Sequence, residues 1–256
     1  MTQLVLDRMV VDIPQQGAMS PLTMSLSSGQ LWGVLGPNGV GKTTLLHTLA
    51  GILAPRSGRI ELDATPLAKL ARPMLAQCIG VMFQDHQDGF PATVYETVLL
   101  GRHPHLGVWQ KESDQDHAIV LNALKSLDLL ALQNRLITEL SGGERQRVAL
   151  AMLKAQQPKV WLVDEPTNHL DLNHQVRAME ILAEQSLQGD CVVASLHDVN
   201  LAARWCTHVL LLYPDRPPLW GESASLLTTD HLEPLYRQPL AVTELEGRSV
   251  FVPRST

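Results

Sequence analysis

The residues with the clearest chemical potential form the segment GPNGVGKT at positions 36–43, which matches the pattern G-x-x-x-x-G-K-[ST]. Glycines let the backbone N–H groups of such a loop converge on phosphate oxygens, and the dipole of a following helix adds positive potential. The lysine of the pattern reaches the β- and γ-phosphates of a nucleotide, and the adjoining hydroxyl ligates Mg²⁺. We therefore predict a nucleotide-binding loop made of Gly36, Pro37, Asn38, Gly39, Val40, Gly41, Lys42, Thr43 and Thr44.

A pair of carboxylates follows an apolar run further along the chain, in the segment WLVDEP. The apolar residues 160–163 place Asp164 at the carboxyl end of a buried strand, where α/β proteins bind ligands. We expect Asp164 to hold Mg²⁺, directly or through water, and Glu165 to face the water that attacks the γ-phosphate. Binding the metal needs one carboxylate, whereas hydrolysis also needs a base or a group that orients water. The alternative is an acidic strand end before a proline turn.

A second glycine-containing segment, LSGGERQR, occupies positions 140–147. Ser141, Gly142 and Gly143 stand at the head of a predicted helix, where N–H groups, a hydroxyl and a helix dipole together favour an anion. The chain thus has two predicted phosphate-binding ends but a single lysine-bearing loop of this pattern. An ordinary serine N-cap followed by flexible glycines is the alternative.

The elements that would position these residues follow from hydrophobic spacing. Short apolar runs predict strands in LVLDRMVVDI, PLTMSLSS, QLWGVL, GRIELDA, IGVMF, KVWLVD, DCVVAS, HVLLLY, LAVTEL and SVFVP. Helical spacing predicts helices in KTTLLHTLAGIL, TVYETVLLGR, SDQDHAIVLNALKSLDLLAL, GERQRVALAMLKAQ, NHQVRAMEILAEQSLQG, VNLAARWC and LTTDHLEPLYRQ. Strand and helix alternate before and after a purely helical block at about residues 91–139, so we predict an α/β core with a mostly parallel sheet and a helical insert.

Composition narrows the classes of partner. The 256 residues carry a formal net charge of −6 without a basic run, which argues against nucleic acid as the main partner. The three cysteines are widely spaced and form no CxxC pair, so neither a disulfide framework nor a thiolate metal site is indicated. Charges interrupt the amino-terminal segment, and no apolar run approaches the roughly 20 residues that span a bilayer. We therefore expect any membrane role to depend on a partner.

The motifs GPNGVGKT, LSGGERQR, WLVDEPTNHLD and SLHD together resemble those of the ATP-binding subunits of ATP-binding cassette (ABC) transporters, in the same order and over nearly the whole chain. The resemblance implies an α/β fold: a P-loop NTPase core of the ABC-ATPase type, with an N-terminal antiparallel β subdomain and an inserted α-helical subdomain. It also implies one domain over residues 1–256, in which 1–90 and 157–256 form the core and 91–156 form the helical subdomain.

The resemblance implies that two copies of the chain meet head to tail around ATP and Mg²⁺. Ser141, Gly142, Gly143 and Glu144 of one copy would cover the γ-phosphate held by the other copy's P-loop. Asp171 matches the aspartate that crosses this dimer interface. The second glycine segment would then complete a site on the partner chain, and ATP would hold the two copies together.

Two further residues take roles from the same resemblance. Gln84, in VMFQD, matches the glutamine that contacts Mg²⁺ and the attacking water, and His197, in SLHD, matches the histidine that contacts the γ-phosphate. The sequence departs from the family pattern in two respects. Glu144 replaces a frequent glutamine, and Ile13 with Pro14 stand where an aromatic residue usually stacks on adenine.

The insert TVYETVLLGRHPHLGVW resembles importers of iron–siderophore complexes, haem and vitamin B12. This implies an ATPase working with a separate polytopic permease and an extracytoplasmic substrate-binding protein, on the cytoplasmic face of the membrane. Arg102 and His103 are expected on a surface that contacts the permease, rather than His103 and His105 forming a metal site. The alternatives are a cytosolic ABC ATPase of iron–sulfur assembly and an ATPase of another ABC transporter class.

Overall fold

Strands and helices alternate on both sides of a helical block, in a computed structural model that describes residues 1–14, 17–83, 91–107 and 109–254. The strands are β1 (Gln3–Val10), β2 (Asp12–Ile13), β3 (Gly17–Ala18), β4 (Leu22–Ser27), β5 (Leu31–Leu35), β6 (Ser57–Leu62), β7 (Thr65–Pro66), β8 (Ile79–Met82), β9 (Val160–Asp164), β10 (Cys191–Ser195), β11 (His208–Leu211), β12 (Leu219–Glu222), β13 (Leu240–Leu245) and β14 (Arg248–Pro253). The helices are α1 (Lys42–Leu49), α2 (Arg72–Cys78), α3 (Val94–Leu99), α4 (Asp114–Ser126), α5 (Gly142–Gln156), α6 (Leu172–Leu187), α7 (Val199–Trp205), α8 (Ser223–Leu226) and α9 (Thr229–Tyr236).

The central sheet has the strand order β12-β11-β5-β10-β9-β8. Neighbours from β11 to β8 pair in parallel, and β12 joins the edge in the antiparallel direction. In this register Ser195, the last residue of β10, lies opposite Asp164, the last residue of β9. The carboxyl ends of β5, β10 and β9 therefore meet at one edge, where open α/β sheets bind their ligands.

The two faces of this sheet bury different parts of the chain. On β9, Trp161 and Val163 belong to a hydrophobic cluster shared with α4, α5 and α6, whereas Val160 and Leu162 belong to a second cluster shared with α1 and β1. All four side chains are fully buried, because a parallel strand covered on both faces is apolar throughout. Burial of β9 on both faces thus places the polar residues Asp164 and Glu165 at the carboxyl end of the strand.

A four-stranded antiparallel sheet with the order β4-β1-β6-β7 packs over α1 through the second cluster. On the other face α5 packs against α3 and α4, and each of α3 and α4 begins with a capping box. Together with the parallel sheet, these parts confirm the predicted fold class. The division at residues 90/91 and 156/157 stays a prediction. Within the described part of the chain, each helix is too short or too polar to span a bilayer.

The environment of Arg102 contradicts its expected place on a permease-facing surface. Arg102 is only 7% exposed, in a 3-10 turn at Leu100–His105, and its Nε donates to Asp116 Oδ1 at 2.8 Å. A guanidinium nitrogen also donates to the Ala155 carbonyl at 2.8 Å and to Gln157 Oε1 at 3.1 Å. Hydrogen bonds from Ser113 and the Arg102 guanidinium lower the pKa of the Asp116 carboxyl. Arg102 therefore joins the 3-10 turn to α4 and α5, whereas His103 is exposed.

Replacing Arg102 by methionine is expected to lower the free energy of unfolding by about 3 kcal/mol, because it leaves Asp116 buried without its cation. Urea denaturation followed by circular dichroism measures this loss. His103→Ala, one residue away and exposed, is the matched control and should lie within about 0.5 kcal/mol of the parent chain. Equal stability of the two variants would contradict the structural role of Arg102.

Candidate functional site

The predicted nucleotide-binding loop joins β5 to α1 at the carboxyl edge of the sheet. Gly41 is the N-cap of α1 and has φ 103°, in the left-handed region that favours glycine. A Cβ atom at this position would lie 2.7 Å from Ile13 Cδ1, so the close approach of Ile13 also requires glycine. The first N–H groups of α1, starting at Lys42, lack helical acceptors because they open the helix. They form a positive end suited to phosphate.

Lys42 is held inside this loop by its own backbone. Its ammonium donates to the carbonyls of Gly36 at 2.8 Å and Pro37 at 3.1 Å, and the residue is buried. Burial lowers the pKa of the Lys42 ammonium, and the nearby carboxylates of Glu165 and Asp164 act in the opposite direction. The cation therefore lies within electrostatic reach of the predicted catalytic Glu165 and the predicted metal ligand Asp164, which brings the two motifs into one site.

Asp164 offers one carboxylate oxygen to a ligand. Its Oδ1 accepts a hydrogen bond from the Ser195 hydroxyl, whereas its buried Oδ2 has no hydrogen-bond partner among the described residues. A buried carboxylate oxygen without a partner is costly unless a cation or a donor satisfies it. Mg²⁺ is commonly bound by one or two carboxylates together with substrate phosphates, so Asp164 with the Thr43 hydroxyl fits this ion.

Glu165 is oriented by contacts from three directions. Its Oε1 lies 2.5 Å from His197 Nε2, and its Oε2 accepts from Asn168 Nδ2 at 3.0 Å. Its backbone N–H donates to Ser195 Oγ at 2.9 Å, and its φ of 50° turns the chain sharply after the strand. The structure thus brings Glu165 and His197, which are separate motifs in the sequence, into direct contact.

A cavity of about 620 Å³ lies over these residues, within the size range of small-molecule sites. It is lined by Ile13, Pro14, Asn38, Gly39, Gly41, Lys42, Thr43, Thr44, Glu165, Asn168 and His197. Gly36, Pro37 and Val40 lie behind this lining, the first two as acceptors for Lys42 and the third in the apolar cluster beneath. Among the described residues, none from the second glycine segment lines this cavity.

The residues Ser141, Gly142, Gly143 and Glu144 form the start of α5, away from this cavity. Ser141 is an exposed N-cap, and it forms a capping box with Glu144: the Ser141 N–H donates to Glu144 Oε2 at 2.7 Å. These hydrogen bonds lower the pKa of Glu144. The glutamate that departs from the family pattern therefore stabilises the first turn of the helix.

The turn after β9 packs directly under the second glycine segment. A Cβ atom on Gly143 would lie 2.8 Å from the His169 carbonyl oxygen, so only glycine permits this approach. Two residues later Asp171 caps α6, with its Oδ1 accepting from the His174 N–H at 2.9 Å. Asp171 is exposed, as a residue at an interface between chains would be before assembly. Gln84 lies outside the described residues.

Ile13 and Pro14, which replace the expected adenine-stacking aromatic residue in the sequence, both line the cavity. Ile13 packs against Gly41, so an aliphatic surface stands beside the phosphate-binding loop where the family pattern has an aromatic ring. Such a surface supplies apolar contact with a base but not aromatic stacking.

Three residues that contact the predicted catalytic and metal-binding carboxylates were not singled out from the sequence. Ser195 bridges Asp164 and Glu165, Asn168 binds the Glu165 carboxylate, and Gln146 donates from Nε2 to the Glu165 carbonyl at 2.7 Å. Each lies inside a recognised motif (Ser195 in SLHD, Asn168 in WLVDEPTNHLD and Gln146 in LSGGERQR), so membership of a motif was the available signal. Their partners depend on strand register and helix packing.

The fold and this site define an ATP-binding cassette, and comparison with known families agrees. The family described as ABC transporter matches residues 19–168, which is more than half of the chain. The chain therefore belongs to the ABC transporter family, as one of its ATP-binding subunits with ATPase activity.

Three known proteins show how close the similarity is. The chain is 36% identical to the hemin import ATP-binding protein HmuV of Nocardia farcinica, over 94% of this chain and 83% of that protein. A solved metal-chelate type ABC transporter in an inward-facing conformation has a TM-score of 0.85 and 30% identity, covering 100% of this chain and 98% of that one. A dimeric bacterial ABC transporter cassette has a TM-score of 0.74 and 25% identity, over 86% and 98% of the two chains.

Proposed function

We propose that two copies of this chain close around two ATP molecules, and that each site combines the P-loop of one copy with Ser141, Gly142 and Gly143 of the other. One observation carries the proposal: a single chain lines one cavity with Lys42, Glu165 and His197, and it exposes a second glycine-containing helix start outside that lining. An isologous dimer uses the same patch on both copies and so completes both sites at once. The dimeric relative supports this arrangement.

The chemistry proposed for each site is hydrolysis of the γ-phosphate by positioned water. Lys42 neutralises charge on the phosphates, Glu165 orients the water and accepts its proton, and His197 steadies the γ-phosphate. Asp164 and Thr43, with Gln84, would hold Mg²⁺, which when bound stabilises charge on the phosphate oxygens. The contact between His197 and Glu165 supports joint action, because it fixes the direction of the carboxylate.

The proposed work of the ATPase is import of a metal chelate such as haem, cobalamin or an iron–siderophore complex. ATP would close the dimer, and the motion would drive a separate polytopic permease supplied by an extracytoplasmic substrate-binding protein. The subunit would lie on the cytoplasmic face of the membrane, held there by the permease. The hemin import relative and the metal-chelate type transporter support this class over an iron–sulfur assembly ATPase.

Deleting the gene is expected to abolish uptake of one labelled chelate among haem, cobalamin and a ferric siderophore, because the permease is idle without its ATPase. Uptake should return with the parent gene but not with Glu165→Gln. Purification of the tagged chain from detergent extracts should recover a polytopic membrane protein. Recovery of soluble iron–sulfur scaffold proteins instead, with normal uptake of all three chelates, would contradict import and favour the assembly ATPase.

A further inference from the structure

A buried glutamine connects the second glycine segment to the carboxylate of the ATP site in the same chain. Gln146 lies on α5, five residues after Ser141, and is 5% exposed. Its side-chain amide donates to the backbone carbonyl of Glu165 at 2.7 Å. This contact crosses from α5 to the turn after β9, so it joins an element of the helical insert to the end of a central strand.

The Glu165 backbone needs such support because of its conformation. A non-glycine residue at φ 50° is uncommon and persists where neighbouring groups hold it. Ser195 Oγ accepts from its N–H at 2.9 Å, and the Asn168 N–H donates to its carbonyl at 3.1 Å. Gln146 donates to the same carbonyl, so the peptide groups on both sides of the Glu165 Cα are fixed from β10, from the following turn and from α5.

We propose that Gln146 is a positioning residue for hydrolysis: it fixes the backbone of Glu165, and thereby the direction of the carboxylate that orients the attacking water. The proposal rests on the proposed ATPase dimer. In that dimer, the start of α5 would cover the partner chain's nucleotide. The same helix, through Gln146, would also hold Glu165, the general base of its own chain's site. Gln146 then acts in the chain that carries it, whereas Ser141 acts on the other chain.

Gln146→Met tests this, because methionine keeps an unbranched side chain of similar length and removes the amide donor. Loss of one positioning hydrogen bond is expected to lower kcat about tenfold, with KM for ATP within about twofold of the parent value. The matched control is Gln156→Met on the same helix. Gln156 also donates to carbonyls of a neighbouring segment, those of Ala76 at 2.6 Å and Ile79 at 3.2 Å. Its kcat should stay within about twofold of the parent.

A second measurement separates positioning from general support of α5. Combined with Glu165→Gln, Gln146→Met should leave ATP-dependent dimerisation unchanged by size-exclusion chromatography, because Ser141 and its capping box are intact. An unchanged kcat, an equal loss of kcat in Gln156→Met, or weaker dimerisation of the double variant would each overturn the proposal. Failure of the Glu165→Gln chain alone to dimerise would instead refute the ATP-bridged dimer, whatever the kcat comparison shows.

Discussion

Glu165→Gln is expected to reduce ATP hydrolysis by at least about 100-fold, because an amide cannot accept the proton of the attacking water. Glutamine has the same shape, so its oxygen and nitrogen can occupy the positions that now face His197 and Asn168. The fold and the phosphate-binding loop should therefore remain as they are. Phosphate release under saturating ATP measures the loss.

The same variant should accumulate as an ATP-bound dimer, since closure no longer ends in hydrolysis. Size-exclusion chromatography with light scattering should show twice the monomer mass with ATP and Mg²⁺, and the monomer without nucleotide. The matched control is Glu112→Gln, an exposed glutamate outside the cavity, which should hydrolyse ATP at the parent rate. A Glu165→Gln chain that turned over normally, or that stayed monomeric with ATP, would contradict the assignment.

Lys42→Ala is expected to weaken ATP binding by at least about 100-fold, because it removes a charge-assisted contact with the phosphates. The loss is large for a reason visible in the site: Asp164 and Glu165 both act electrostatically on Lys42. Without the Lys42 ammonium, fewer positive charges offset the repulsion between these two carboxylates and the phosphates of ATP. Titration calorimetry with ATP and Mg²⁺ measures the change.

Lys69→Ala provides the control for this experiment. Lys69 is exposed and does not line the cavity, so its removal should leave the dissociation constant unchanged. Circular dichroism should show that Lys42→Ala remains folded, although it loses two hydrogen bonds inside the loop. Undiminished affinity for ATP in a folded Lys42→Ala chain would rule out the proposed role of this lysine.

The sequence predicted the elements that bury a regular apolar pattern and missed those that depend on their surroundings. β9 and α6 were predicted because their apolar residues recur at the spacing of a strand or a helix. Helix α2 was missed: it has no side-chain cap and buries only Leu75. Strand β12 was also missed, because it is an edge strand with mostly exposed side chains and pairs only with β11.

The candidate site shows the same limit at the level of single side chains. Lys42, Asp164 and Glu165 could be identified because phosphate and metal chemistry needs those residue types at those places. Arg102 was predicted to contact a permease, but it pairs with Asp116, a residue of the α4 capping box 14 positions away. This pair could not be predicted, because two charged residues give no apolar pattern. Burial of a polar side chain becomes visible only when the packing of the helices is known.

Gly143 packs closely against the His169 carbonyl, and this packing restricts how the segments of the two chains in a dimer would move. Segments that touch at van der Waals distance through backbone, without an intervening flexible side chain, shift as one rigid block. In the proposed dimer, the start of α5 that covers the neighbour's nucleotide would therefore move together with the turn that leads from its own Glu165 to Asp171. Binding of one nucleotide would therefore affect the site that holds the other, so the two ATP sites of the dimer would act together.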